Sequence, residues 1–168
     1  VLVHEGRIIG EGWHEYFGGP HAEVNAINSV KAADQKLINK STLYVSLEPC
    51  CISAKTPACS ELILKSGIKK LVVSVSDPNP RMNGKSLKML EEKGVDITVD
   101  VRSQQGHHLL GPFKAALLKR PYIILKYAQS VDGYLGQKGE QIWLSNQYSK
   151  LLVHKWRSES DGILVGHN

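Results

Sequence analysis

The stretch GGPHAEVNAI, residues 18–27, places a histidine and a glutamate two positions apart at the predicted start of a helix. Pro20 suits the first turn of a helix, because the N–H groups of that turn have no partner within the helix. Residues two apart on an α-helix diverge by about 200°, so they do not face each other. His21 and Glu23 are therefore interpreted as one metal ligand and one acid or base, rather than as an ion pair.

Outward from this stretch, predicted strands and helices alternate along the chain. The apolar periodicity and the Gly and Pro positions predict strands at 1–4, 7–12, 42–47, 70–76 and 95–101, and helices at 21–34, 57–67 and 84–94. The segment 102–120 is interpreted as a short helix or linker, and after it a strand with a turn, a helix and a further strand follow. This order predicts an α/β layered domain with a largely parallel sheet, and a domain boundary near 118–120.

Composition and charge exclude several classes of protein. The 168 residues carry a net charge of +5, from 21 basic and 16 acidic side chains that are spread along the chain. Such a spread argues against a nucleic-acid-binding tail, and a mild basic excess either suits a phosphorylated small substrate or carries no meaning. No apolar run approaches the roughly 18 residues of a membrane span. We therefore expect neither a nucleic acid nor a membrane as a partner.

The cysteine content indicates the compartment. Three cysteines, an odd number, occur without a signal-peptide pattern, which predicts a reducing, cytoplasmic setting and chemistry other than disulfide formation. The chain also opens and closes inside predicted strands, so we expect a segment of a longer protein.

Two of the cysteines complete a candidate metal site. Cys50 follows a predicted strand and Cys59 begins a predicted helix, where the helix N-terminus favours the thiolate that binds metal. Together with His21 they supply three ligands and leave the fourth tetrahedral position to water, an arrangement typical of catalytic zinc. Glu23 would then move protons between water and a leaving amine.

Each of these residues has a more ordinary interpretation. A histidine at a helix start is commonly a cap or a surface residue, and two cysteines are commonly small core residues. A structural zinc site needs a fourth protein ligand, for which Cys51 is the nearest candidate; we interpret it as a spectator, because adjacent cysteines are strained as ligands of one ion. The combination H-x-E…P-C…C favours zinc, since it is the deaminase signature with a longer spacing than C-x-x-C.

Longer motifs carry a family resemblance over the whole chain. The segments GGPHAEVNAI, LEPCC…KTPAC and VSDPNP…NGKSLKMLEEKGVDI resemble the deaminase domain of bifunctional riboflavin biosynthesis proteins of the RibD type. The segments RPYIILKYAQSVDGYLG, IWLSN and HKWRSESDGILVG are similar to the start of that family's reductase domain. The eight residues between Cys50 and Cys59, together with the DPNP motif, separate this pattern from the P-C-x-x-C of cytidine and tRNA adenosine deaminases.

The resemblance implies a fold and an activity. It implies a cytidine-deaminase-like three-layer α/β/α domain with a mixed, largely parallel sheet over 1–118, and the first βα units of a dihydrofolate-reductase-like domain over 119–168. The implied reaction is zinc-dependent hydrolytic deamination of 2,5-diamino-6-ribosylamino-4(3H)-pyrimidinone 5′-phosphate. In the full-length protein, NADPH then reduces the ribosyl side chain of the product. Self-association into a homodimer or homotetramer is expected through the reductase half.

Carried over by position, the resemblance implies roles for eleven residues. The implied zinc ligands are His21, Cys50 and Cys59, and the implied proton donor is Glu23. The implied substrate contacts are Lys55, Asp77, Asn79, Gln141 and Arg157, and the implied cofactor contacts are Ala128 and Trp143. The alternatives stay open: Asp77 and Asn79 as a plain Asx-type turn, Arg157 as a solvated helix residue, and Trp143 as a core aromatic.

The chain departs from the family pattern at one loop. Where the family commonly has S-H-Y-G-K-T-P-P-C, this chain has C-I-S-A-K-T-P-A-C, so Ile52 replaces a histidine that could hydrogen-bond to substrate. The reductase segment stops at Asn168, so we expect no reduction by this polypeptide. Two rival functions remain: a zinc deaminase that acts on another base, nucleoside or nucleotide, and a non-catalytic scaffold stabilised by zinc.

Overall fold

A computed structural model describes residues 1–52 and 57–166 of the chain. Its strands are β1 (Leu2–His4), β2 (Arg7–Gly10), β3 (Thr42–Leu47), β4 (Lys70–Val75) and β5 (Asp96–Thr98). Its α-helices are α1 (Ala22–Asn28), α2 (Cys59–Lys65), α3 (Lys85–Glu92), α4 (Ser103–Leu109), α5 (Gly111–Leu117) and α6 (Gln147–Ser158). A 3₁₀ helix covers Ala32–Lys40.

The five strands form one mixed sheet in the order β2-β1-β3-β4-β5. Strand β1 is antiparallel to both of its neighbours, whereas β3, β4 and β5 pair in parallel, so four of the five strands point the same way. The turn between β1 and β2 is a two-residue one, and both of its residues have positive φ: Glu5 at 47° and Gly6 at 77°. Such a turn matches the twist of an antiparallel hairpin. The predicted largely parallel sheet is confirmed.

The hydrophobic core lies on the face of the sheet that packs against helices α2 and α3. Leu71, Val73 and Val75 alternate along β4 and are buried, as the period of two in a strand requires. Leu71 and Val73 belong to one core cluster with Ile63 of α2 and Leu90 of α3. On the opposite face, helix α4 packs against β4, which gives the helix–sheet–helix layering expected for this fold.

Two glycines let helix α1 approach strand β2 closely. A Cβ atom on Gly10 would overlap the backbone oxygen of Ala26, and a Cβ atom on Gly12 would overlap backbone atoms of Asn25 and Ala26. Since backbone atoms of a helix cannot move aside cheaply, both positions require glycine. This close approach fixes the distance between β2 and α1, the helix that carries Glu23.

The prediction of one helix over 21–34 is wrong in its extent. Helix α1 ends at Asn28, and the following residues form the separate 3₁₀ helix. The hydroxyl of Ser29 donates to the carbonyl of Ala26 at 2.9 Å and accepts the N–H of Glu11 at 2.8 Å. A serine that bonds to nearby backbone groups competes with helix continuation, which accounts for the break.

The chain divides into two compact units, Val1–Tyr122 and Ile123–Asn168. In the second unit the predicted helix is present as α6, capped by Asn146, whose Oδ1 accepts the N–H of Ser149 at 2.9 Å. The strands predicted around it are not formed within residues 123–166, and Ile123 is 79% exposed. A strand exists only where a neighbouring strand pairs with its backbone groups, and no such neighbour lies in that range.

None of the helices in the described ranges is long and apolar enough to cross a membrane.

Candidate metal centre

Three side chains from separate elements meet at the carboxyl end of β3. His21 is the N-cap residue of α1, with extended φ and ψ of −71° and 163°, so it stands just before the helix and not inside its first turn as predicted. Cys50 follows the last residue of β3 by three positions, and Cys59 is the first residue of α2. Ligands are commonly bound at this end of parallel strands, where the loops to the next helices converge.

The distances fit a tetrahedral metal ion. The Nδ1 atom of His21 lies 3.5 Å from Cys50 Sγ and 3.3 Å from Cys59 Sγ. Bond lengths of about 2.0–2.1 Å to nitrogen and 2.3 Å to sulfur, at tetrahedral angles, predict an N···S separation of about 3.6 Å. The three ligand atoms all lie within 4.8 Å of one another. One nitrogen and two sulfurs are a donor set that suits zinc.

The N-terminus of α2 holds Cys50 in place. The backbone N–H of Cys59 donates to Cys50 Sγ at 3.2 Å, and the N–H of Ser60 donates to the Cys50 carbonyl at 3.0 Å. Hydrogen bonds from the thiol and the backbone N–H of Cys59, and the nearby His21, lower the pKa of Cys50 to about 6. The same thiol–thiol hydrogen bond raises the pKa of Cys59, and burial adds to this rise. The backbone N–H of Cys59 thus favours the thiolate form of Cys50.

Cys51 does not join this cluster. Among the residues that the structure describes, the group of His, Cys, Asp and Glu side chains able to share one ion is His21, Cys50 and Cys59. Within those residues the centre thus has three protein ligands, which is the open arrangement of a catalytic zinc site and not the closed one of a structural site.

Glu23 lies beside the cluster in the first turn of α1. It is only 8% exposed. The negative charge of its carboxylate adds to the rise in the pKa of Cys59, after the larger contributions of Cys50 and of burial. A buried carboxylate beside a metal ligand is placed to exchange a proton with a molecule bound at that centre.

Asp77 and Asn79 lie in the loop that follows β4, and they form the Asx-type turn left open as an alternative. Asp77 Oδ1 accepts the N–H of Asn79 at 2.8 Å, and Asn79 Oδ1 accepts the N–H of Arg81 at 3.0 Å. The Asn83 side chain donates to the Asp77 carbonyl at 2.9 Å. Burial raises the pKa of Asp77, the negative charge of Glu48 adds to this rise, and the N–H of Asn79 opposes it.

Two residues at the centre were missed by sequence reasoning. The ring of His14 meets that of His21 edge-on, with ring centroids 5.4 Å apart, and its Nδ1 donates to the carbonyl of Pro20 at 3.0 Å. The carboxylate of Glu48, two residues before Cys50, is buried and accepts hydrogen bonds from three other residues. In the sequence, Glu48 could have been noticed only as an acidic residue that directly follows a largely apolar strand.

The remaining predicted site residues lie elsewhere. Lys55 falls outside the described residues. Ala128, Gln141, Trp143 and Arg157 all lie in the second unit. Trp143 is 68% exposed, so it is not the core aromatic of the alternative interpretation, and the Lys150 ammonium lies 5.2 Å from the centre of its ring.

Family models match two parts of the chain. Residues 1–75 match the cytidine and deoxycytidylate deaminase zinc-binding region. Residues 121–168 match the RibD C-terminal domain. The first match contains His21, Glu23, Cys50 and Cys59.

Relatives and solved structures match the chain over nearly its whole length. The riboflavin biosynthesis protein RibD of Aquifex aeolicus (strain VF5) is 41% identical over 170 residues, which cover 100% of this chain and 47% of that protein. The corresponding protein of Escherichia coli (strain K12) is 35% identical over 98% of this chain and 44% of its own length. The chain therefore spans about half the length of these relatives.

Two crystal structures share the fold. A diaminohydroxyphosphoribosylaminopyrimidine deaminase/5-amino-6-(5-phosphoribosylamino)uracil reductase from Thermotoga maritima superposes with a TM-score of 0.78 at 39% identity, over 94% of this chain and 45% of that one. RibD of Acinetobacter baumannii gives a TM-score of 0.73 at 36% identity, over 94% of this chain and 44% of that one.

Proposed function

This chain belongs to the RibD family of riboflavin biosynthesis proteins, and we propose that its first unit hydrolyses the amino group of a phosphorylated diaminopyrimidine. The observation that carries the proposal is the cluster of His21, Cys50 and Cys59 with the buried Glu23 beside it. Three protein ligands and an adjacent carboxylate are the parts that a zinc-dependent deaminase needs.

The proposed substrate is 2,5-diamino-6-ribosylamino-4(3H)-pyrimidinone 5′-phosphate. The oxygen of one water adds to ring carbon C2, and the bond between C2 and its amino nitrogen breaks, while the amino group at C5 is retained. The products are the corresponding ring carbonyl and ammonia, so the atoms balance without any other reactant. The deaminase named in the Thermotoga maritima structure supports this choice over a nucleoside.

In the proposed mechanism Glu23 moves the proton. Its carboxylate takes a proton from the attacking water and delivers it to the departing nitrogen, which leaves as ammonia. The second proton of that water passes to the adjacent ring nitrogen, which carries it as an N–H in the product. The residues that would hold zinc are His21, Cys50 and Cys59. Zinc bound there would lower the pKa of a bound water molecule to about 7, so that the water could lose a proton near neutral pH. Burial of Glu23 keeps bulk water from competing for that proton.

Three further residues are proposed to bind the substrate. Asp77 and Asn79 sit in the loop after β4, at the same edge of the sheet as Cys50. Lys55 lies between the two cysteines in sequence, and its ammonium is proposed to pair with the 5′-phosphate. Because β3 and β4 are parallel, the two loops that carry these residues leave the sheet from one edge.

The second unit is proposed to be the beginning of the reductase domain of a longer protein. Its match to the RibD C-terminal domain supports this proposal. In the complete domain, Ala128 and Trp143 would contact NADPH, while Gln141 and Arg157 would contact the ribosyl substrate. We further propose that the full-length protein acts in the cytoplasm and self-associates as a homodimer or homotetramer through that domain.

Ammonia release is the direct test. The zinc-loaded protein should release ammonia from the diaminopyrimidine phosphate at a rate at least 100-fold above that from cytidine or dCMP. Faster release from cytidine or dCMP would assign the chain to another class of zinc deaminase. No release from any of the three at stoichiometric zinc would leave the zinc-stabilised scaffold as its function.

A further inference from the structure

Glu48 is a buried carboxylate that the proposed mechanism does not use. It is 4% exposed and lies directly after β3. Its Oε2 accepts the N–H of Asp77 at 3.0 Å and the N–H of Gly84 at 2.9 Å. Its Oε1 accepts the N–H of Ser86 at 3.2 Å and the hydroxyl of Ser86 at 2.9 Å. Four hydrogen bonds therefore converge on one side chain.

This carboxylate takes the place of a cap for helix α3. No side chain of α3 itself caps its first turn, which also contains no acidic residue. Gly84 is the N-cap residue and Ser86 lies in the first turn, so Glu48 satisfies two N–H groups that the helix leaves unpaired. Among the described residues, no cation forms an ion pair with Glu48. Its charge is offset by these donors and by the positive end of the helix.

The same side chain ties the metal centre to the loop that follows β4. Glu48 is two residues from Cys50, and its backbone N–H also donates to the Val75 carbonyl at 2.9 Å. Toward the loop, it holds both ends of the segment 77–84, at Asp77 and at Gly84. The segment between those ends contains the Asx-type turn of Asp77 and Asn79. Glu48 is thus bonded to both ends of a loop and lies two residues before a metal ligand in sequence.

We propose that Glu48 is a positioning residue, which sets the distance between the metal centre and the substrate-binding loop 77–84. This role rests on the proposed function, because it assigns the loop to substrate binding. It acts through Asp77 and Asn79 and touches no reacting atom itself.

The role has a defined kinetic signature. When the loop leaves its binding-competent position for a fraction of the time, the apparent affinity for substrate falls by that fraction. Chemistry in the bound complex still uses zinc and Glu23, and the four hydrogen bonds of the Glu48 carboxylate go to Asp77, Gly84 and Ser86 instead. Loss of Glu48 should therefore raise KM and leave kcat nearly unchanged.

The test compares two substitutions of Glu48 with a matched control. Glu48→Ala removes all four hydrogen bonds. Glu48→Gln keeps the size of the side chain but offers one neutral acceptor oxygen in place of two charged ones, and hydrogen bonds to charged acceptors are about twice as strong. The control is Ser41→Ala, which removes the 2.7 Å hydrogen bond that the hydroxyl of buried Ser41 donates to the Leu37 carbonyl, just before the start of β3.

Zinc content, the unfolding midpoint, KM and kcat are measured for each protein with the diaminopyrimidine phosphate. We expect KM to rise about 10-fold or more in Glu48→Ala and about 3-fold to 10-fold in Glu48→Gln, with stoichiometric zinc and kcat within about 3-fold of the parent. Ser41→Ala should lower the unfolding midpoint and leave KM within about 2-fold.

Glu48→Gln decides the test where Glu48→Ala does not fold. A zinc-loaded Glu48→Gln protein with the KM of the Ser41→Ala control would overturn the positioning role and reduce Glu48 to a helix cap. A fall in kcat without a rise in KM would also overturn it. A zinc-loaded parent that releases no ammonia would instead overturn the proposed function, so the two failures are distinguishable.

Discussion

The backbone N–H of Cys59 donates a hydrogen bond to the Sγ atom of Cys50 over 3.2 Å. This contact joins the first residue of α2 to the segment that leaves β3, and it places two sulfur atoms on one side of the His21 ring. A backbone donor aimed at a sulfur stabilises its thiolate form, which is the form that binds zinc. The fold therefore holds both sulfur atoms near His21, and favours the thiolate form of Cys50, without a bound metal ion.

Cys59→Ser should lose most of the zinc and lower the thermal unfolding midpoint. Two protein ligands would remain, and zinc that binds only the native state contributes to the free energy of unfolding. Metal content by atomic emission and the unfolding midpoint with and without a chelator check this.

The matched control is Cys51→Ser, because Cys51 lies outside the cluster. It should keep stoichiometric zinc and the unfolding midpoint of the parent. Full zinc in Cys59→Ser together with loss of zinc in Cys51→Ser would show that the ligand set is wrong.

Glu23→Gln should retain zinc and lose deamination. Glutamine has nearly the same shape but cannot transfer a proton, so kcat should fall by about 10²-fold to 10⁴-fold, as is typical when a general acid or base is removed. The measurement is single-turnover ammonia release at a confirmed zinc stoichiometry of one. Turnover at the parent rate would remove Glu23 from the mechanism.

Asp77→Asn should raise the thermal unfolding midpoint at pH 7 by about 1–3 °C. Burial and the charge of Glu48 raise the pKa of Asp77, so the folded protein favours its neutral form. The stability that Asp77 contributes is complete below its ordinary pKa and is lost as the pH rises through the raised one. Asparagine stays neutral and still accepts the N–H of Asn79.

The pH dependence supplies the control for this variant. The difference between Asp77→Asn and the parent should shrink as the pH falls and disappear below about pH 3, where an ordinary aspartate is protonated as well. A difference that is constant between pH 4 and pH 7 would mean that the titration of Asp77 is not its cause.

Lys55→Ala should lower kcat/KM by roughly 10-fold to 100-fold, mainly through KM. A hydrogen bond between an ammonium and a phosphate contributes about 1.5–3 kcal/mol in both the ground state and the transition state. Steady-state kinetics with the phosphorylated and the dephosphorylated substrate check this. With the dephosphorylated substrate, kcat/KM should be nearly the same in Lys55→Ala and in the parent. An equal fall in kcat/KM with both substrates would exclude the phosphate contact.

Gly10→Ala should destabilise the first unit by about 1–3 kcal/mol and reduce its zinc content. The added Cβ would overlap the Ala26 carbonyl oxygen of α1, so the helix that carries Glu23 must move away from β2. Gly136→Ala is the matched control, because nothing lies within 4 Å of its added Cβ. Chemical denaturation followed by circular dichroism compares the two, and equal stability would contradict the close packing of α1 on β2.

The features that depend on neighbours along the chain could be predicted from residue types and their spacing. Alternating apolar residues predicted β3 and β4, since a strand buries every second side chain. The H-x-E and Cys–Cys spacings predicted the residues that the structure brings together as a metal cluster, because ligand chemistry is a property of residue type.

The features that depend on partners far away along the chain could not be predicted in this way. The break after α1 comes from a bond between Ser29 and Glu11, and the role of Glu48 comes from donors 29 to 38 residues further along the chain. In the second unit, Ile123 lies in a segment predicted to be a strand. Within the described residues 123–166 there is no neighbouring strand with which that segment could pair. The physical reason is the same in each case: a hydrogen bond needs two groups in register, and a pattern of residue types shows only one of them.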